Sequence, residues 1–196
     1  SLAPSQLMAA QPSPYVAQAA HGAKERGVRI HRVLELLSAT STAQDIAALV
    51  EAVAPDWDTQ QQKKATQEIN ALFDQQRWLW QHRRMAEASI AGTIPHEGAT
   101  IPISGQIDLL IETPEAVMIL DYKTGAHIPS LPAEVSPQYL LQLKVYKALV
   151  AQLYPAKPVR CGIVWTAAPS LMWLDGEVEN QPFPQAAALI NSALAA

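Results

Sequence analysis

Apolar residues return at helical spacing at Ile30, Val33, Leu34 and Leu37, which predicts an amphipathic helix over 24–38. Ser41 or Thr42 is placed to cap a second helix reaching about Ala54, and Asp56 or Asp58 a third from Thr59 to about Gln76. Trp57, Phe73, Trp78 and Trp80 are the large anchors this helical layer offers to a core. From Ala86 the period changes. Ala86 to Ile90 and Ala99 to Ile103 read as strands, with Gly92, Pro95 and Gly98 in the turn between them. They lead into an apolar hairpin, Gly105 to Ile111 and Val117 to Lys123, joined by the turn chemistry of Glu112-Thr113-Pro114-Glu115. The outcome is a meander of about three strands. Pro129, Pro132 and Pro137 make 127–137 a loop, and 138–153 is a helix with Leu141, Val145, Ala148 and Leu149 as its buried stripe. Val159 to Thr166 reads as a buried strand, Leu171 to Leu174 as a short one, and the Ala-rich tail after Pro184 as a short helix. Helices, meander, helix and strand in that order predict an α/β (α+β) fold, a mixed sheet with helices on its faces.

Residues 1–22, rich in Ala, Pro, Ser and Gln, read as a linker or arm, and 23–196 as a single domain. A chain of 196 residues with 49% hydrophobic and 16% charged content can bury a sizeable core. Its first residue, Ser1, suggests a piece excised from a longer chain. No apolar run is long enough to span a bilayer and no signal-peptide pattern occurs, so the expected location is cytoplasmic. The single cysteine, Cys161, excludes an internal disulfide framework and a four-cysteine iron–sulfur site, and its apolar neighbours make it a core thiol. Neither G-x-x-x-x-G-K-[ST] nor G-x-G-x-x-G is present. A formal charge of −4 argues against a generic polyanion-binding surface, so any nucleic-acid contact has to be a local patch. Lys24, Arg26, Arg29 and Arg32 form the densest basic cluster; it is either a phosphate-contacting face or a solvated helix face.

The central hairpin carries charges that its apolar surroundings do not explain. Asp121 and Lys123, two apart on one strand, share a face, and pairing about Pro114 brings Asp108 near Asp121. Charges in such a place are costly unless paired or bound to a metal. The plain alternative is a strand-end ion pair with Asp108 capping a turn. His31 lies at the edge of its helix's apolar stripe, where a structural role competes with a ligand role. Gln142 and Tyr146 stand four apart on one face of the helix after the hairpin.

Gly105-Gln106-Ile107-Asp108 on one strand, followed by Asp121-Tyr122-Lys123-Thr124 on the next, resembles the PD-(D/E)XK nuclease superfamily in its RecB-like branch. The αβββαβ order, with extra N-terminal helices, is that of a restriction-endonuclease-like core. Further segments are similar to the C-terminal nuclease domain of AddA-type helicase–nuclease subunits. These are Pro4 to Leu7, Arg26 to Leu34 (as R-G-x-x-I-H-x-x-L), Ala86 to Ile90 with Glu87, Tyr139 to Tyr146 (as Y-x-x-Q-L-x-x-Y), Tyr154-Pro155, and Ile163 to Thr166. One departure is Leu109, where such subunits often carry an arginine.

The resemblance implies a Mg²⁺- or Mn²⁺-dependent DNA nuclease, exonuclease-like, cutting strands delivered by a helicase motor during double-strand-break repair and recombination. It implies His31, Asp108, Asp121 and the Tyr122 carbonyl as metal ligands, and Lys123 as the group that orients water or stabilises the transition state. Glu87 would orient a metal-bound water, or else is a surface strand glutamate. Gln142 and Tyr146 would position the site or the DNA strand, and Lys24, Arg26, Arg29 and Arg32 would contact DNA. The implied partners are DNA, an AddA-type helicase body in cis and a second, AddB-type subunit. Hard carboxylates suit Mg²⁺ or Mn²⁺, which keep waters and bridge to phosphate. The competing readings are an inactive nuclease-fold module for DNA binding or protein docking, and a stand-alone exonuclease or restriction-type endonuclease.

Overall fold

Thr42 and Asp58 start two helices by the same device. Each side-chain oxygen accepts the N–H of the residue three positions on, Asp45 or Gln61, whose own side chain accepts the cap's N–H. In the computed structural model, which describes residues 14–183, these helices are α2 (Ala43–Val53) and α3 (Thr59–Gln75). With α1 (Pro14–Leu36) they form one layer, closed by Phe73 and Trp80 inside it and by Trp57 and Trp78 at its margin. α1 begins at Pro14, ahead of the residue-24 start its apolar stripe predicts, because the stripe marks only the part that packs on the sheet. Residues 1–13 and the tail helix expected after Pro184 lie outside the described residues.

The sheet has five strands in the order β1-β2-β3-β4-β5: Arg83–His96, Ala99–Glu112, Val117–Lys123, Val159–Trp165 and Ser170–Trp173. Neighbours are antiparallel except β3 and β4, which are parallel and joined through α4 (Pro137–Leu153). The two strands expected over 99–103 and 105–111 are one strand, since Gly105 pairs with Ile90 without a break. Gly92 and Pro95 lie within β1, and the turn is made by Glu97 and Gly98, both at positive φ, as a two-residue hairpin requires. α4 buries more than the predicted stripe: Leu140, Leu143, Tyr146 and Val150 are buried, while Leu141 and Ala148 are half-buried. It is covered twice, by the sheet and by the outer β1–β2 ribbon (Ile94, Ile101, Ile103). A short helix after β5, α5 (Asp175–Asn180), was not expected from the pattern; Asp175 accepts the Cys161 N–H at 2.8 Å.

Alternation along β3 sorts its side chains. Leu120 and Tyr122 face α1–α3, whereas Val117 and Ile119 face α4. Along β2 the phase slips. Leu109 and Ile111 face α1–α3, but both Ile107 and Leu110 belong to the α4 layer, so the alternation shifts at Asp108. Opposite it on β1 the pairing skips Glu87, a non-glycine residue at φ 49°. β2 pairs with β3 only from Leu109↔Leu120 to Glu112↔Val117, and beyond that point the strands separate. The sheet therefore forks at Asp108. Among the described residues no helix is long and apolar enough to cross a membrane.

Ile163, fully buried between β3 and α4, should cost about 2–5 kcal/mol as Ile163→Ala, against about 1 kcal/mol for loss of the cap in Thr42→Ala. Urea unfolding followed by circular dichroism checks both values and their order.

Candidate active site

The fork brings groups from both faces of the sheet together. Asp108 turns its carboxylate into the gap, where Oδ2 accepts the Tyr122 N–H at 2.8 Å. His31, from the α1 side, donates from Nε2 to the Tyr122 carbonyl at 3.1 Å, and its Nδ1 lies 3.6 Å from Asp108 Oδ2. The edge of its ring meets the Tyr122 ring, with centroids 5.6 Å apart. Glu87 completes a cluster: one ligand atom each from His31, Glu87 and Asp108 lie within 4.8 Å of one another. From the α4 side, Lys123 Nζ lies 2.5 Å from Asp121 Oδ2 and 4.4 Å from the centre of the Tyr139 ring. The Asp121–Lys123 contact is ionic, and the buried Asp121 Oδ2 takes no directed hydrogen bond.

The charges are under strain. Burial and the neighbouring Asp121 carboxylate push the Asp108 pKa up to about 8, against the opposing pull of the Tyr122 N–H and Lys123. Burial also raises Glu87, with Glu35 adding to it. Burial lowers His31, with Lys123 helping and Asp121 opposing, so its imidazole is neutral at pH 7 and keeps a lone pair. For Lys123 burial works against the charge, but Asp121 and then Asp108 outweigh it and hold its pKa above the ordinary lysine value.

Three crowded acids, a buried carboxylate oxygen lacking a hydrogen bond and a neutral imidazole form a set of hard donors that fits a divalent cation. His31, Asp108 and the Tyr122 carbonyl, expected as ligands, lie together. Asp121, expected with them, is held by Lys123, and Glu87 stands in the cluster instead. The Tyr122 side chain packs among α1–α3 with its hydroxyl unpartnered.

Gln142 and Tyr146 line an open trough of about 620 Å³ with Ser89, Ser104 and Gln106. The Tyr146 hydroxyl takes hydrogen bonds from the Gln106 N–H and the Gln142 side chain. Gly105 permits this, because a Cβ there would lie 2.7 Å from that hydroxyl. The basic cluster is met by acids: Arg26 by Glu68 and Arg29 by Asp56, each at 2.5 Å, and Arg32 by Glu35 at 2.5 Å. Lys24 and Arg32 face solvent, while Arg26 and Arg29 are half-buried.

Sequence reasoning missed the left-handed backbone of Glu87, for which Ala86-Glu87-Ala88 carries no local signal. It also missed Tyr139 beneath Lys123, which the spacing from Gln142 placed on the same helix but not against the site.

The family model of the PD-(D/E)XK nuclease superfamily matches residues 6–187. Two curated relatives are each described as one subunit of an ATP-dependent helicase/nuclease, the AddA-type one. That of Pelotomaculum thermopropionicum is 31% identical over 64 residues, 33% of this chain and 5% of its own length. That of Lactiplantibacillus plantarum is 37% identical over 62 residues, 32% of this chain and 5% of its own length. The matches thus span about a twentieth of these relatives. Among solved structures, that of SSO0001 aligns with a TM-score of 0.40 at 12% identity, covering 88% of this chain and 84% of that one. The match of the family model along nearly the whole chain decides the assignment: this chain belongs to the PD-(D/E)XK nuclease superfamily.

Proposed function

We propose that the protein is a Mg²⁺- or Mn²⁺-dependent deoxyribonuclease, exonuclease-like, that hydrolyses phosphodiester bonds in DNA break repair and recombination. In this reading it is the nuclease part of an AddA/RecB-like helicase–nuclease of the cytoplasm, with a helicase body in cis and an AddB-type protein as its partner. The observation that carries it is the meeting of His31, Asp108 and the Tyr122 carbonyl with the Asp121–Lys123 pair at one fork, in a member of a nuclease superfamily. The short matches to ATP-dependent helicase/nuclease subunits support the cellular role.

When bound, the divalent ion supplies Lewis-acid stabilisation of the phosphate and a more acidic water. His31, Asp108, Asp121 and the Tyr122 carbonyl would hold it, with Glu87 beside them oriented toward a water. Lys123 stays an ammonium and does not take the water's proton; it stabilises the charge that builds on the phosphate oxygens. Asp121 and the Tyr139 ring hold that ammonium from two sides. Gln142 and Tyr146, joined to Gln106 two residues before Asp108, hold the fork open and face the strand being cut. Leu109 is buried in the helical layer, so the contact an arginine would make there is not part of this site.

Asp121→Ala and Lys123→Ala are each expected to lower metal-dependent degradation of end-labelled single-stranded or duplex DNA by about 10²–10³-fold. Wild-type cleavage that needs no divalent ion, or variants that cut normally, would sink the reading.

Because Asp108 has a higher pKa folded than unfolded, the folded state holds its proton more tightly. The metal-free protein should therefore lose stability as pH rises from the normal carboxylate range to about 8. Asp108→Asn, which keeps an acceptor for the Tyr122 N–H, should raise the Tm of the metal-free protein at pH 8 and abolish metal binding. Differential scanning calorimetry with and without Mn²⁺ measures both.

Of the basic cluster, Lys24 and Arg32 are the solvent-facing candidates for phosphate contact. Replacing both by Ala should weaken DNA binding and flatten its logarithmic salt dependence by about one unit of slope per residue. Fluorescence anisotropy at several salt concentrations reads both changes.

A further inference from the structure

Arg26 stands five residues before His31 on α1, and its partner is not solvent. Its guanidinium meets Glu68 Oε2 of α3 at 2.5 Å. The other Glu68 oxygen accepts the Thr166 hydroxyl. The Glu68 side chain is 8% exposed and Thr166 0%. Thr166 follows the last residue of β4, and its N–H donates to the Lys123 carbonyl at 3.0 Å. One buried carboxylate thus ties α1 and α3 to the C-terminal ends of β3 and β4. Gly27, beside Arg26, sits so close to this junction that a Cβ would lie 3.0 Å from Thr124 Oγ1. One turn further along α1, His31 reaches the Tyr122 carbonyl.

We propose that Arg26, Glu68 and Thr166 form a positioning clamp that sets the spacing between His31 and the Tyr122 carbonyl, and through it the affinity of the site for its divalent ion. The clamp rests on the metal-dependent reading given above. Its physical basis is a difference in kind between contacts. α1 is otherwise held to the sheet mainly by apolar residues such as Ile30, Val33 and Leu34. Apolar contact resists separation but has no direction, so it tolerates sliding along the sheet. Charge-assisted hydrogen bonds fix both distance and angle. His31 and the Tyr122 carbonyl come from different elements, and only a directional link between those elements holds two ligands in register. The clamp grips both: Arg26 on the helix of His31, and Thr166 on the chain that receives Lys123. It also reassigns Arg26 from a DNA contact to a positioning residue, since its charge is met by Glu68.

The test uses Mn²⁺ binding by calorimetry on Arg26→Met, Thr166→Val and Thr166→Ser, with Tm recorded for each. Thr166 is fully buried, so any effect of Thr166→Val cannot come from a lost DNA contact. Arg26→Met and Thr166→Val are expected to weaken Mn²⁺ binding about ten-fold, and Thr166→Ser, which keeps the hydroxyl, to bind as wild type. Ile101→Val, in the β1–β2 ribbon away from the site, controls for stability and should lower Tm without changing Mn²⁺ affinity. Folded Arg26→Met and Thr166→Val proteins that bind Mn²⁺ within two-fold of wild type would overturn the clamp. Loss of DNA affinity alone in Arg26→Met would overturn it in favour of a phosphate contact. Failure of the wild-type protein to bind Mn²⁺ is a different result, and would overturn the metal-dependent reading beneath it.

Discussion

A sheet ordinarily keeps the side chains of its two faces apart, and the site of this protein depends on one place where it does not. At Asp108 the ladder between β2 and β3 stops, and the Tyr122 N–H, next in line for a backbone partner, is taken by the Asp108 side chain instead. The backbone donor stays satisfied, so the fork leaves no buried N–H without a partner. Through the gap His31, which belongs to the α1 face, comes within reach of Asp108. Asp121 and Lys123, which belong to the α4 face, bear on the same carboxylate electrostatically. The phase slip in β2 and the left-handed backbone of Glu87 are the local cost of this arrangement.

The electrostatics follow from that geometry. Carboxylates brought together away from water raise each other's pKa, and a lone Lys123 offsets only part of the charge. In a protein built for stability alone, Asp108 would be an asparagine or a leucine. The same crowding makes a site selective for a dication, because only a second positive charge relieves it fully. His31 contributes by staying neutral, since an imidazolium would relieve the crowding without leaving a lone pair.

Much of this was legible in the residues because two periods carry the information. The period of two in Asp121-Tyr122-Lys123 placed the charged pair on one face and Tyr122 on the other, as the layers have it. Local capping chemistry located α2 and α3 to within a residue or two. What stayed hidden was whatever depends on a partner distant in sequence. The merger of two expected strands into β2 is decided by β1 alongside it, which overrides Gly105 as a break. The double coverage of α4 is decided by a ribbon that folds back over it. The Glu87 conformation answers to Asp108 across the ladder, 21 residues away.

The arginines of α1 show the same limit in charge. Counting along the sequence finds Arg26, Arg29 and Arg32 against a single nearby acid and suggests a positive face. In space Glu68, Asp56 and Glu35 come to meet them, so the local field is much weaker than the count implies. The three pairs are not equivalent. Those of Arg29 and Arg32 involve exposed partners or neighbours on the same helix, where water screens the attraction and the pairing adds little. Arg26 pairs with a carboxylate that is 8% exposed and also holds Thr166, so breaking that pair strands a buried charge. An arginine in that position belongs to the architecture of the site even though it never reaches the ligands. Its distance of five residues from His31 then has a mechanical meaning: the clamp and the ligand lie on one rigid helix, little more than a turn apart, and move together.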